Sequence, residues 1–232
     1  MIQAAHSAAL PTAAPSSPGV TESLAREWRP TWGGAQRGAA EASGLDDFPV
    51  LIVPGLHDSG EAHWQSHWQR ALPNAERVGQ TDWARPDLGA WMERLVQAIE
   101  RRPGALLVAH SLGCALAAHL PRGPRLDIAG ALLVAPADVD HPGPTGRLFE
   151  SFAPMPRRRL AFPTTVVASR TDPYMSYAAA ERLAQDWGAT FVDLGAAGHV
   201  NVESGHGPWP GGLPLLRLLA RRAGASRPAV RA

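Results

Sequence analysis

Three side chains far apart in the sequence have the types that nucleophilic acyl transfer needs: Ser111, Asp172 and His199. A serine hydroxyl attacks a carbonyl effectively only when a neighbouring base takes its proton as the bond forms. His199, in the Gly-rich stretch 195–212, is the candidate base. Asp172, in Ser169-Arg170-Thr171-Asp172-Pro173, is the candidate to orient the imidazole and stabilise its charged form. Ser111 lies in Ala109-His110-Ser111-Leu112-Gly113, a G-x-S-x-G nucleophile elbow with alanine at its first position. The turn in such an elbow is strained, so its flanking residues must be small, as Ala109 and Gly113 are. The order Ser, Asp, His is the one associated with the α/β-hydrolase sheet.

Each residue also has a plainer reading. Ser111 could be an ordinary helix N-cap, His199 a surface-loop histidine, and Asp172 a turn former before Pro173. Asp138, just past the strand that ends near Ala135, is the rival acid. Asp172 is preferred because its turn follows a strand directly, 27 residues ahead of His199. Two backbone donors for an oxyanion are expected, the N–H of Leu112 and that of Leu56 after the first strand, with His57 the rival for the second. His57, Trp64 and Tyr174 are candidate substrate contacts. Phe149, Phe152 and Met155 could line an apolar pocket or simply fill the core. His110 is expected to shape the elbow. Cys114 reads as a small core residue. His63 and His67 share one helix face, yet lack an evident third ligand, so packing is favoured over a metal site.

These positions require elements that bring them together. Residues 48–53, 104–109, 128–135 and 164–169 are apolar runs of strand length, the pattern of strands buried on both faces. Short strands are expected at 77–81 and 190–194. Helices are expected at 61–72, 87–99, 112–120, 174–187 and 213–222. In the second, Leu88, Trp91, Leu95 and Ala98 recur at helical spacing. Strand-helix alternation predicts an α/β fold, a three-layer sandwich with a mostly parallel sheet and right-handed crossovers. Ligands of such sheets bind beyond the carboxyl ends of the strands, where Ser111, Asp172, the His199 loop and Pro54-Gly55-Leu56-His57 all fall. Residues 138–159, rich in Pro, Gly and Arg, are a candidate lid.

Composition limits the alternatives. Twenty-two basic against twenty-one acidic side chains leave a formal charge of +1, which gives no reason to expect a nucleic-acid or acidic-membrane partner. No apolar stretch approaches the roughly 18 residues of a membrane span. A single cysteine fits a reducing, cytoplasmic setting. Residues 1–45, dominated by Ala, Pro, Ser and Gly, are expected to be a disordered extension, and residues 46–232 the folded domain. Trp28 and Trp32 are unusual in such an extension.

Val53-Pro54-Gly55, His63-Trp64-Gln65 with Trp68, Ala109-His110-Ser111-Leu112-Gly113, the Asp172 turn, and Gly198-His199-Val200-Asn201 through Glu203-Ser204-Gly205 to Trp209 and Gly211 together resemble the RBBP9/YdeN family of small serine hydrolases. The similarity runs from about residue 48 to 221. It implies a compact α/β-hydrolase fold with Ser111, Asp172 and His199 as a catalytic triad; separately, no cofactor is expected. It also implies esterase activity on small acyl esters and, in some members, aminopeptidase-like activity. The leading expectation is a carboxylesterase-like serine hydrolase that cleaves a small ester, thioester or amide through an acyl-enzyme. The alternative is a hydrolase fold serving mainly as a protein-binding module. A cofactor-free lyase or acyltransferase on the same scaffold is a weaker third.

Overall fold

A computed structural model describes residues 44–123 and 126–226. The expected extension, including Trp28 and Trp32, lies outside the described residues apart from Gly44 and Leu45. Six parallel strands form one sheet: β1 (Val50–Val53), β2 (Ala75–Arg77), β3 (Ala105–His110), β4 (Ile128–Val134), β5 (Thr164–Ala168) and β6 (Thr190–Asp193), in the order β2-β1-β3-β4-β5-β6. The four central strands are the apolar runs, and nearly all their residues are buried. The edge strands β2 and β6 are polar and part-exposed, as expected where only one side of a strand is paired. β1 and β3 are neighbours, and the connections leave them in opposite directions. This is the switch point at which open sheets of this kind hold their ligands.

Among the described residues five helices cover the two faces: α1 (Trp64–Ala71), α2 (Leu88–Arg101), α3 (Leu112–His119), α4 (Tyr177–Trp187) and α5 (Leu213–Ser226). Trp91, Leu95 and Ile99 of α2, Leu116 of α3, and Leu183 and Trp187 of α4 build the core on one face. Trp64 and Trp68 of α1, with Leu216 and Leu219 of α5, build it on the other, together with Trp209. Residues 112–118 of α3 are all buried, so only small and apolar residues fit there.

Several boundaries differ from expectation for local reasons. The His63 ring accepts from the Gln65 N–H and the Ser176 hydroxyl accepts from the Ala179 N–H. These caps start α1 and α4 about three residues later than periodicity suggests. β2 lies at 75–77 rather than 77–81, and only the Val78 N–H still reaches the sheet, at the Ile52 carbonyl. Residues 143–152 form a 3₁₀ segment. Within the expected lid, Phe152 and Met155 are buried in the core, so these side chains hold the segment down rather than facing a pocket.

The tightest packing is where the β3–α3 turn meets the end of β1. A Cβ on Gly113 would lie 2.3 Å from the Val53 carbonyl oxygen and 2.7 Å from that of Pro54. A Cβ on Gly55 would lie 2.9 Å from the Cβ of Ser111 and 3.0 Å from the Leu112 nitrogen. Backbone atoms cannot rotate away, so both positions require glycine. Gly113→Ala is therefore expected to lower stability by about 3 kcal/mol in urea unfolding, the upper part of the overpacking range. Gly79→Ala, with no atom within 4 Å of its added Cβ, should be close to neutral. Equal midpoints for the two variants would contradict this packing.

Candidate active site

Ser111 follows the last residue of β3 and precedes α3, with φ 54° and ψ −122°. That region is seldom occupied by residues with a Cβ and costs about 1–3 kcal/mol. Its N–H donates to the Val134 carbonyl at 3.1 Å, and its own carbonyl accepts from Cys114 and Ala137. Backbone bonds on both sides thus hold the strained turn. The side chain makes no cap bond to α3, which removes the plain N-cap reading. Its Oγ instead lies 2.9 Å from Nε2 of His199, and Nδ1 of His199 lies 3.0 Å from each carboxylate oxygen of Asp172. The chain from Ser111 through His199 to Asp172 is continuous. The Asp172 and His199 side chains are 2% and 8% exposed, so little water competes for these bonds.

The rival acid stands elsewhere. Asp138 accepts from the N–H groups of Asp140 and His141, and its carboxylate lies 3.4 Å from Nδ1 of the His141 ring. Asp172 also keeps its turn role, accepting from the Tyr174 N–H at 2.9 Å. Both readings of that residue hold at once.

Gly55, Leu56, His57 and Ser111 line one cleft of about 280 Å³ with His199 and Tyr174. The His57 N–H is spent on the Trp83 carbonyl at 2.9 Å, which removes it as an oxyanion donor. The N–H groups of Leu56 and Leu112 have no such partner among the described residues and remain the candidate pair. His57 and Asp58 both have positive φ, 62° and 64°. Arg77, at the end of β2, secures this strained loop. It pairs with the Asp58 carboxylate and donates to the Ser59 carbonyl and the Ser66 hydroxyl. Gln65, fully buried, donates to the Val53 and Val108 carbonyls and accepts from Ser59. Sequence reasoning missed both residues, because a lone Arg after a short strand and a Gln inside a helix carry no local signal.

Histidines dominate the inner wall. His110 packs against His199 with ring centroids 4.8 Å apart and against His63 at 4.9 Å. Burial pushes His110 well below the usual imidazole range, and the neighbouring His199 and His63 add to the effect. Burial, then Arg77 and His199, lower His63 to about 4. Its Nδ1 accepts from Gln65, so the proton sits on Nε2, which is buried with no partner among the described residues. His67 has a separate environment, with its Nδ1 3.4 Å from the Arg70 guanidinium. Cys114 is fully buried, and burial pushes its thiol well up, as for an inert core residue.

Of the expected substrate contacts, His57 and Tyr174 line the cleft, as does Phe149. Trp64 does not. Its indole is fully buried among Trp68 and Trp209 and donates to the Val200 carbonyl at 2.8 Å. Asn201 and Glu203, named from the sequence only as part of the family resemblance and given no role there, also line the cleft.

Residues 50–218 match the family described as serine hydrolase. The chain belongs to that family. Among solved structures, this hydrolase resembles a YdeN-like hydrolase from Pectobacterium atrosepticum at 36% identity. The match covers 77% of this chain and 94% of that one, with a TM-score of 0.69. The ydeN product of B. subtilis aligns at 23% identity over 73% of this chain and 97% of its own, with a TM-score of 0.61. The esterase 2 of Thermogutta terrifontis shares the fold at 13% identity, over 77% and 84% of the two chains, with a TM-score of 0.58. The RBBP9/YdeN resemblance and the α/β-hydrolase fold expected from the sequence both hold. No curated protein matches the sequence significantly. No helix among the described residues is long and apolar enough to cross a membrane.

Neutral buried histidines have a consequence for this hydrolase below neutral pH. The folded His63 binds its proton near pH 4, whereas the unfolded chain binds it near 6.5. As pH falls through that window the unfolded state gains the proton first, so stability is lost. His63 alone accounts for a loss on the order of 2–3 kcal/mol, and His110 acts in the same direction. His63→Asn, which retains a side-chain oxygen for the cap, should lose less stability between pH 7 and 4 than the wild type in urea titrations. Parallel losses in the two proteins would contradict the assignment.

Proposed function

We propose that this protein cleaves a small ester, thioester or amide bond through an acyl-enzyme on Ser111, acting as a carboxylesterase-like serine hydrolase. The observation that carries this reading is the unbroken hydrogen-bonded line from Ser111 through His199 to Asp172 at the floor of the cleft. As the Ser111 oxygen bonds to the substrate carbonyl carbon, its proton passes to Nε2 of His199. The Asp172 carboxylate holds the Nδ1 proton and stabilises the imidazolium. The carbonyl oxygen, now negative, lies between the N–H groups of Leu56 and Leu112, a preorganised pair of the kind worth about 3 kcal/mol per donor. The imidazolium then gives its proton to the departing alcohol, thiol or amine. Water repeats the sequence to release the acid and restore the Ser111 hydroxyl.

The cleft volume, about 280 Å³, fits a short acyl group. Tyr174, packed edge-on against His199 with centroids 4.5 Å apart, and His57 are the proposed substrate contacts. The lone Cys114 fits a reducing, cytoplasmic setting.

A fluorophosphonate probe should label Ser111 in the folded protein and leave Ser111→Ala unmodified. With p-nitrophenyl esters, turnover should fall as the acyl chain lengthens. Ser111→Ala should lose at least about 10⁴-fold in kcat, in line with other serine nucleophiles. Wild-type turnover in Ser111→Ala, or labelling only elsewhere, would overturn the proposal.

A further inference from the structure

The His199 imidazole rides on a stretch between β6 and α5 with no helix or strand of its own over residues 197–200. Such a segment is ordinarily among the most mobile parts of a fold. Here four successive residues are each held by a different side chain. The Ser169 hydroxyl accepts from the Ala197 N–H at 3.0 Å, and the Thr171 hydroxyl accepts from the Gly198 N–H at 3.0 Å. Nε2 of the neutral His110 donates to the His199 carbonyl at 2.9 Å, and the Trp64 indole donates to the Val200 carbonyl at 2.8 Å. Ser169, His110 and Trp64 are buried, so water does not compete for those three bonds.

The anchors have a second property. His110 is the residue before Ser111, and Thr171 is the residue before Asp172. Each partner of the imidazole is therefore one peptide unit from a side chain that pins the imidazole's own backbone. Errors in placement cannot accumulate along the long chain paths that otherwise join the three residues. We propose that Trp64, His110, Ser169 and Thr171 are positioning residues, a four-point clamp that keeps the His199 ring between Ser111 and Asp172. None of them reaches the reacting atoms through its anchoring bond. They act by limiting the backbone freedom of residues 197–200, so that the ring needs no rearrangement when a substrate binds. The proposal rests on His199 acting as the base for Ser111.

Two variants test it, the first of them near-isosteric. Thr171→Val removes a hydroxyl from an exposed side chain, and Trp64→Phe removes an indole N–H while keeping an aromatic ring in the core. With p-nitrophenyl acetate, kcat and kcat/KM should fall together about tenfold in each, with KM unchanged and the rate of fluorophosphonate labelling slowed in parallel. This is the pattern of an interaction used only in the transition state. Thr171→Ser, which keeps the hydroxyl, should restore the rate. Turnover is expressed per site that the probe titrates, so partial misfolding lowers the number of sites and not the rate per site. If Trp64→Phe fails to fold, Thr171→Val and its rescue by serine decide the matter. Wild-type rates per site in Thr171→Val, or a loss that Thr171→Ser does not rescue, would overturn the clamp. Undiminished turnover in Ser111→Ala would instead remove the underlying reading, so the two failures are distinguishable.

Discussion

The backbone of Ser111 is the constraint on which the site depends. At φ 54° and ψ −122° it occupies a conformation that a residue with a Cβ adopts only when its surroundings enforce it. Two close approaches enforce it here: Gly113 against the Val53 and Pro54 carbonyls, and Gly55 against Ser111 itself. The same contacts fix the Ser111 hydroxyl at the carboxyl end of β3, in the cleft that Leu56 also lines. Strain in one residue is thus the cost of presenting a hydroxyl at the end of a buried strand. Neither glycine has room for a methyl group.

A second theme is the use of buried polar groups as fasteners. Gln65 joins α1 to the ends of β1 and β3, and Arg77 holds the left-handed turn at His57 and Asp58. His110 and Trp64 reach the segment that carries His199. Each places a donor on a backbone carbonyl that lies outside regular hydrogen bonding or at a strand end, where an unmet partner would be costly. Charge is kept away from the inner wall. Burial opposes protonation of both His63 and His110, reinforced by Arg77 and His199 at His63 and by His199 and His63 at His110.

Much of this was legible in the sequence. Apolar runs of strand length identified the four central strands, because burial on both faces leaves no room for alternation. Ser111, Asp172 and His199 were found because all three fall after strand ends, and the structure brings them within hydrogen-bonding distance. Trp64 was misjudged for a physical reason. An aromatic near the site suggests a pocket wall, whereas this indole has a buried carbonyl to satisfy at Val200, 136 residues away. The roles of Arg77 and Gln65 were unread for the same reason, since their partners are defined by the folded backbone and not by neighbours in sequence. His110 was expected to shape the elbow. It is the last residue of β3, and its ring is turned toward the neighbouring loop.

The central claim is that Ser111 becomes covalently acylated. A slowly released acyl group tests this most directly: wild-type protein that hydrolyses p-nitrophenyl acetate is mixed with p-nitrophenyl dimethylcarbamate. The expected result is stoichiometric release of p-nitrophenol, loss of esterase activity, and a carbamoyl group found by peptide mass spectrometry on Ser111. Inactivation with the group on another residue, or inactivation with Ser111 unmodified, would contradict it.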